Sequence, residues 1–179
     1  MIQRINMKKL FSIITLILIT FTTYINAQEP ISFTLTTIND KNLTVSETKD
    51  GLNFHEFKGK AVLLTLFGHR CPPCLKEIPE LIELTNEHKD DLEIVAIEAQ
   101  LYPKDSLKEF VTQHKMNYNV IAGYDHNDFV AYIANRAGYT NGIPLPLLIA
   151  INKDGEVESV QAGLIGKSEL EQLIKDLND

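Results

Sequence analysis

Residues 60–74 constrain the fold of this chain more than any other stretch. Lys60 is followed by Ala-Val-Leu-Leu-Thr-Leu-Phe, ending at Phe67. A strand with one wet face would alternate, so a nearly continuous apolar run predicts a strand covered on both faces. Gly68 ends the run, and Cys71-Pro72-Pro73-Cys74 follows, holding the only two cysteines of the 179 residues. Pro72 and Pro73 suit a first helical turn, where a missing N–H costs nothing. Leu75, Ile78, Leu81 and Ile82 then recur at helical spacing to about His88. Pro79 falls inside that helix and is expected to kink it. A buried strand leads straight into a helix whose first turn carries a thiol pair.

The other elements fit around this unit. Ile31 to Ile38 alternates as an edge strand, Asn39 to Asn42 reads as a turn, and Leu43 to Val45 returns, giving an N-terminal β-hairpin. Gly51 to Gly59 reads as loop. Leu92 to Ala99 and Leu147 to Ile151 are further apolar strands, with a short one at Tyr118 to Ile121. Amphipathic helices are expected over Ser106 to Met116 and, starting near an Asp or Asn cap, over Asp125 to Arg136. Asn152-Lys153-Asp154-Gly155 signals a hairpin whose other arm is Glu156 to Gln161. Ser168, with Glu171 three residues on, predicts a capping box for a last helix to Leu177. Strands alternating with helices imply an α/β domain with a mixed central sheet and helices on both faces, covering about residues 28–179.

Residues 1–27 differ in kind. Arg4, Lys8 and Lys9 precede an apolar run from Leu10 to Ile25, and Ala27 offers a small residue for cleavage. The run is shorter than the ~20 residues that a spanning helix prefers. A signal peptide or an N-terminal membrane anchor is expected, and with it a periplasmic or other extracytoplasmic location. Net charge is −7 for the whole chain, and −10 without residues 1–27, which carry three basic and no acidic residues. An acidic surface argues against nucleic acid as a partner.

Export would favour structural disulfides. Those usually close long loops, where the entropic gain is larger, whereas a Cys-x-x-Cys ring closes almost nothing. Its purpose is therefore chemical. Cys71 would meet the unpaired N–H groups and positive dipole end of the helix, which stabilise a thiolate. It is expected to be the exposed nucleophile, with Cys74 resolving the mixed disulfide one turn along. Pro72 and Pro73 stiffen the loop. Arg70, with His69, would lower the thiol pKa further if it faced the sulfur rather than solvent. No metal is expected, since a zinc site needs a second ligand pair. Covalent haem attachment needs His after the second cysteine, and residue 75 is Leu.

Residues 62–79, with the apolar strand, Cys-x-Pro-Cys and the following Glu77-Ile78-Pro79, resemble the thioredoxin-like fold. Within it they resemble the exported TlpA/ResA-like thiol–disulfide oxidoreductases. Pro144-Leu145-Pro146 before Leu147 and the Asp154-Gly155 hairpin carry the likeness further, as does the 75-residue gap from Cys71 to Pro146, which has room for a β-α insert. The resemblance implies a three-layer fold and a cis-proline opposite the cysteines. Counting back from Gly155 favours Pro146 over Pro144. Leu145 would then present backbone to a substrate strand. Glu77 matches a carboxylate near the cysteines, able to raise their pKa and shuttle a proton, unless it is an exposed helical Glu. Two positions depart from the family: Arg70 stands where Trp is usual, and Thr65 where thioredoxin has a buried Asp.

The resemblance further implies a monomer that needs no cofactor beyond the Cys71–Cys74 disulfide. It would reduce protein disulfides, apocytochrome c among them, with a membrane or soluble thiol donor resupplying electrons. A disulfide-donating oxidant and a non-catalytic binding module remain the alternatives. A peroxidase reading suffers from the lack of a third cysteine.

Overall fold

The computed structural model describes residues 30–178, so the expected leader or anchor lies outside the described residues. Among the described residues there are eight strands and four α-helices: β1 Ser32–Thr36, β2 Asn42–Glu47, β3 Leu52–Phe54, β4 Ala61–Phe67, α1 Pro72–Glu87, β5 Leu92–Glu98, α2 Lys104–His114, β6 Asn119–Ala122, α3 Asn127–Arg136, β7 Leu147–Ile151, β8 Val157–Ala162 and α4 Lys167–Asn178. Five strands form a mixed sheet in the order β6-β5-β4-β7-β8. Strand β4 pairs parallel with β5 and antiparallel with β7, and β5 pairs parallel with β6.

Every residue of β4 is buried, as its composition requires. Leu63 and Phe67 face one core with α1, α2 and α4; Leu107, Phe110, Leu170 and Ile174 lie in the same cluster. Val62, Leu64 and Leu66 face a second core with Leu35, Val45, Phe54 and the α3 residues Phe129 and Ile133. Burying each such side chain is worth about 1.5–3 kcal/mol, so a central strand clad on both sides anchors the fold. The result is a three-layer α/β architecture.

Between Cys74 and Pro146 the chain adds α2, β6 and α3, and β6 forms one edge of the main sheet. The expected N-terminal hairpin is present as β1 and β2, and it gains a third strand. Strand β3 lies in the stretch expected to be loop. Only Leu52 and Phe54 bury themselves, with Asn53 exposed between them, which is too short an alternation to announce a strand. The hairpin is tied to the main sheet where Ile38 N donates to Val120 O at 2.9 Å.

Two helix starts differ from expectation. A single 3-10 turn, Gly123–His126, precedes α3, whose cap is His126 with no side-chain bond; Asp128 lies inside the first turn. In α4, Ser168 lies inside the first turn. The helix begins at Lys167, and Leu170 N donates to Gly166 O. Lys167 instead pairs with Glu83 at 2.7 Å, a cross-helix contact that sequence spacing does not show. Helix α1 runs unbroken through Pro79, which faces solvent.

Candidate functional site

Cys71 and Cys74 are joined by a disulfide, with an S–S length of 2.06 Å and Cα atoms 5.2 Å apart. Strand β4 ends at Phe67, and Cys71 is the N-cap of α1. Its Sγ accepts a hydrogen bond from Cys74 N at 3.3 Å, and its carbonyl accepts from Leu75 N at 3.0 Å. The helix start therefore meets the sulfur with an N–H donor, as a thiolate would require. The expectation of an exposed Cys71 needs correction. In this disulfide state Cys71 is 7% exposed and Cys74 2%, because both pack in the α1 core. Cys71 is still the more accessible. Pro72 is exposed and Pro73 half-buried.

The Leu145–Pro146 peptide bond is cis. Pro146 immediately precedes β7, the neighbour of β4, and its carbonyl accepts from Gly163 N at 2.8 Å. Leu145 is partly buried and packs against both cores.

Glu77 is 2% exposed, not a solvent-facing helical residue. It lies three residues after Cys74, on the same helical face. Burial pushes its carboxyl up from 4.5 to about 7; the Ile165 backbone opposes the rise and the charge of Glu80 adds to it. Its Oε1 has no hydrogen-bond partner. Buried Tyr118 is raised above the ordinary tyrosine range, first by burial and then by the Glu77 charge. Thr65 is buried in β4 with an unpartnered hydroxyl, so no carboxylate occupies that position.

The flank of Cys71 holds an arrangement the sequence reading missed. Glu98, at the end of β5, is fully buried. Its Oε1 accepts from His69 N at 3.3 Å and lies 2.8 Å from His69 Nδ1; it also accepts from Gln100 N at 3.1 Å. Its Oε2 accepts from Tyr102 N at 2.8 Å. The His69 ring stacks on Tyr102 with centroids 3.8 Å apart. Gln100 Oε1 accepts from Arg70 N at 2.9 Å, while the Arg70 side chain is exposed. A second acidic residue, after Glu93, in the mostly apolar β5 was the available signal. Among the described residues, no group of three His, Cys, Asp or Glu side chains could hold a metal ion.

The geometry is that of a dithiol pair able to open and close at a helix N-terminus, beside a cis-proline strand entry and a buried carboxyl. The family model described as Redoxin matches residues 27–174. The thiol-disulfide oxidoreductase ResA of Halalkalibacterium halodurans is 30% identical over 128 residues, covering 70% of this chain and 67% of the relative. The protein of the same name from Bacillus thuringiensis is 32% identical over 127 residues, covering 70% and 68%. A crystal structure of a thiol:disulfide interchange protein of the thioredoxin family from Chlorobium tepidum superposes with a TM-score of 0.63. It is 22% identical and covers 84% of this chain and 95% of its own. That likeness shows the thioredoxin-like fold.

Proposed function

This chain belongs to the Redoxin family and is a thiol–disulfide oxidoreductase, and we propose that it works as a reductant of protein disulfides outside the cytoplasm. The charge around the cysteines carries the direction. A stabilised thiolate makes a couple more oxidising. His69 is committed to the Glu98 carboxylate at 2.8 Å and the Arg70 side chain is exposed to solvent. Glu77 places a buried carboxyl on the helix face of Cys74, which disfavours thiolate and a more oxidising couple.

In the reducing cycle the Cys71 thiolate attacks one sulfur of a substrate disulfide. An S–S bond forms between Cys71 and the substrate, and the other substrate sulfur leaves as a thiolate that takes a proton from water. Cys74 gives its proton to the Glu77 carboxylate and attacks Cys71 Sγ. The second substrate sulfur leaves, the Cys71–Cys74 disulfide is restored, and two electrons have passed to the substrate. A membrane or soluble thiol donor then reduces the pair again. Leu145, preceding the cis bond, offers its backbone to an extended substrate segment, and the protein acts as a monomer. Pro72 and Pro73 hold the spacing of the pair.

The basic-then-apolar residues 1–27 support export. The ResA likeness supports apocytochrome c, reduced before haem attachment, as one substrate. One observation favours the opposite direction: the Cys74 N–H on Cys71 Sγ at 3.3 Å stabilises a thiolate. An oxidant would oxidise reduced, unfolded ribonuclease in preference to reducing insulin. The proposed reductant accelerates insulin reduction by dithiothreitol. Cys71→Ser abolishes this, and Cys74→Ala stops turnover while a mixed disulfide accumulates on Cys71. Activity surviving in Cys71→Ser would sink the catalytic reading and leave a binding module.

A further inference from the structure

We propose that Leu101 and Tyr124 form an apolar ledge that docks the flank of the polypeptide substrate, selecting disulfides whose cysteines have apolar neighbours. This rests on the reading above that the substrate is a polypeptide.

Strands β4, β5 and β6 are parallel, so the loops that follow them emerge at one end of the sheet. Cys71 follows β4, Leu101 follows β5 and Tyr124 follows β6. Leu101 is 61% and Tyr124 57% exposed, the two highest values among the exposed large apolar side chains of the described residues. Their place at the end of the sheet that also carries the disulfide, one and two strands from β4, singles them out from scattered surface leucines, which need no explanation.

Leu101 is held there against its preference. Its φ is +62°, in the left-handed region that a leucine rarely enters. The buried Glu98 carboxylate fixes both neighbours, accepting from Gln100 N at 3.1 Å and Tyr102 N at 2.8 Å. The same carboxylate binds His69, and Gln100 Oε1 accepts from Arg70 N at 2.9 Å. The loop that presents Leu101 is thus fastened to the loop that presents Cys71. The β6 loop abuts it in turn, since a Cβ on Gly123 would lie 2.3 Å from Glu98 O. Strained backbone that the surroundings over-determine is a mark of functional sites.

Arg70 puts a charge, not an apolar surface, directly before Cys71. The ledge supplies that surface one and two strands away, on the side opposite Leu145. Strands lie ~4.8 Å apart and an extended chain rises ~3.3 Å per residue, so the ledge meets substrate residues about one to three positions from the attacked cysteine.

The test uses the reduced protein and two disulfide-linked model peptides, identical except for Leu and Val, or Ser and Gly, at the three positions on each side of the cysteine. Second-order rate constants for their reduction are compared. The apolar peptide should be preferred on the order of tenfold. Leu101→Ser and Tyr124→Ser should each reduce that preference by lowering the rate constant for the apolar peptide and leaving that for the polar one, and the double variant should remove it. Leu101→Met should retain it. Should Leu101→Ser fold poorly, Leu101→Gly accepts the same φ and should also lose the preference. Equal rates for the two peptides in the wild-type protein overturn the ledge, as does a preference untouched by the double variant. If the wild-type protein reduces neither peptide nor insulin, it is the reductant reading that falls.

Discussion

Replacing Glu77 with Gln should change how stability depends on pH. Glu77 is 2% exposed with an unpartnered Oε1, and burial pushes its carboxyl from 4.5 to about 7. The folded chain thus keeps a proton at pH values where the unfolded chain has released it. Folding stability is then fully present below pH 4.5 and declines as pH rises to about 7, where the folded carboxyl ionises too. The interval spans two and a half pH units. At about 1.4 kcal/mol per unit, the decline attributable to Glu77 is ~3 kcal/mol. Gln is nearly isosteric and does not titrate, so Glu77→Gln should lack this component. Urea unfolding of the disulfide form, followed by far-ultraviolet circular dichroism from pH 4.5 to 8, measures both profiles. The wild-type protein should lose ~3 kcal/mol relative to Glu77→Gln across the range. Profiles parallel to within about 0.5 kcal/mol would refute the buried, neutral carboxyl and its use as a proton acceptor near neutrality.

Two further substitutions probe the frame around the site. Phe129 is fully buried on the α3 face, 5.0 Å from the Phe33 ring; Phe129→Ala should cost about 3–5 kcal/mol in urea unfolding, while the rate of disulfide reduction by dithiothreitol stays at the wild-type value. Gly123→Ala would place a Cβ 2.3 Å from Glu98 O, and since that oxygen is backbone, the β5 end must shift. A loss of about 1–3 kcal/mol is expected in the same assay, and an unchanged midpoint would contradict the close packing of these two loops.

Much of this was legible because it is local. The apolar β4, the glycine that ends it and the two prolines at the helix start all act within fifteen residues, and each has its own physical signal. The cis bond at Pro146 was reached through family likeness, since neither proline of Pro144-Leu145-Pro146 announces its isomer. What stayed hidden depends on chain segments that meet only on folding. Strand β3 forms because Val45 and Glu47 are there to pair with Phe54 and Leu52. The Ser168 box gave way to Lys167, which reaches Glu83 on α1. Burial of Glu77 comes from α1 packing near the Ile165 backbone and Tyr118, which helical spacing cannot reveal. Glu98 was visible only as one of two acidic residues, with Glu93, in a mostly apolar strand, and its partners at 69, 100 and 102 come from two separate loops.

The central claim is the direction of electron flow through Cys71 and Cys74, and the reduction potential of that couple tests it most directly. Equilibrating the protein in dithiothreitol buffers of graded redox poise, then alkylating and weighing the free thiols, gives the value. A reductant whose Cys74 is backed by the buried Glu77 carboxyl, with His69 held by Glu98, should lie below about −250 mV, whereas a value near −120 mV would contradict the account and make the chain a disulfide donor.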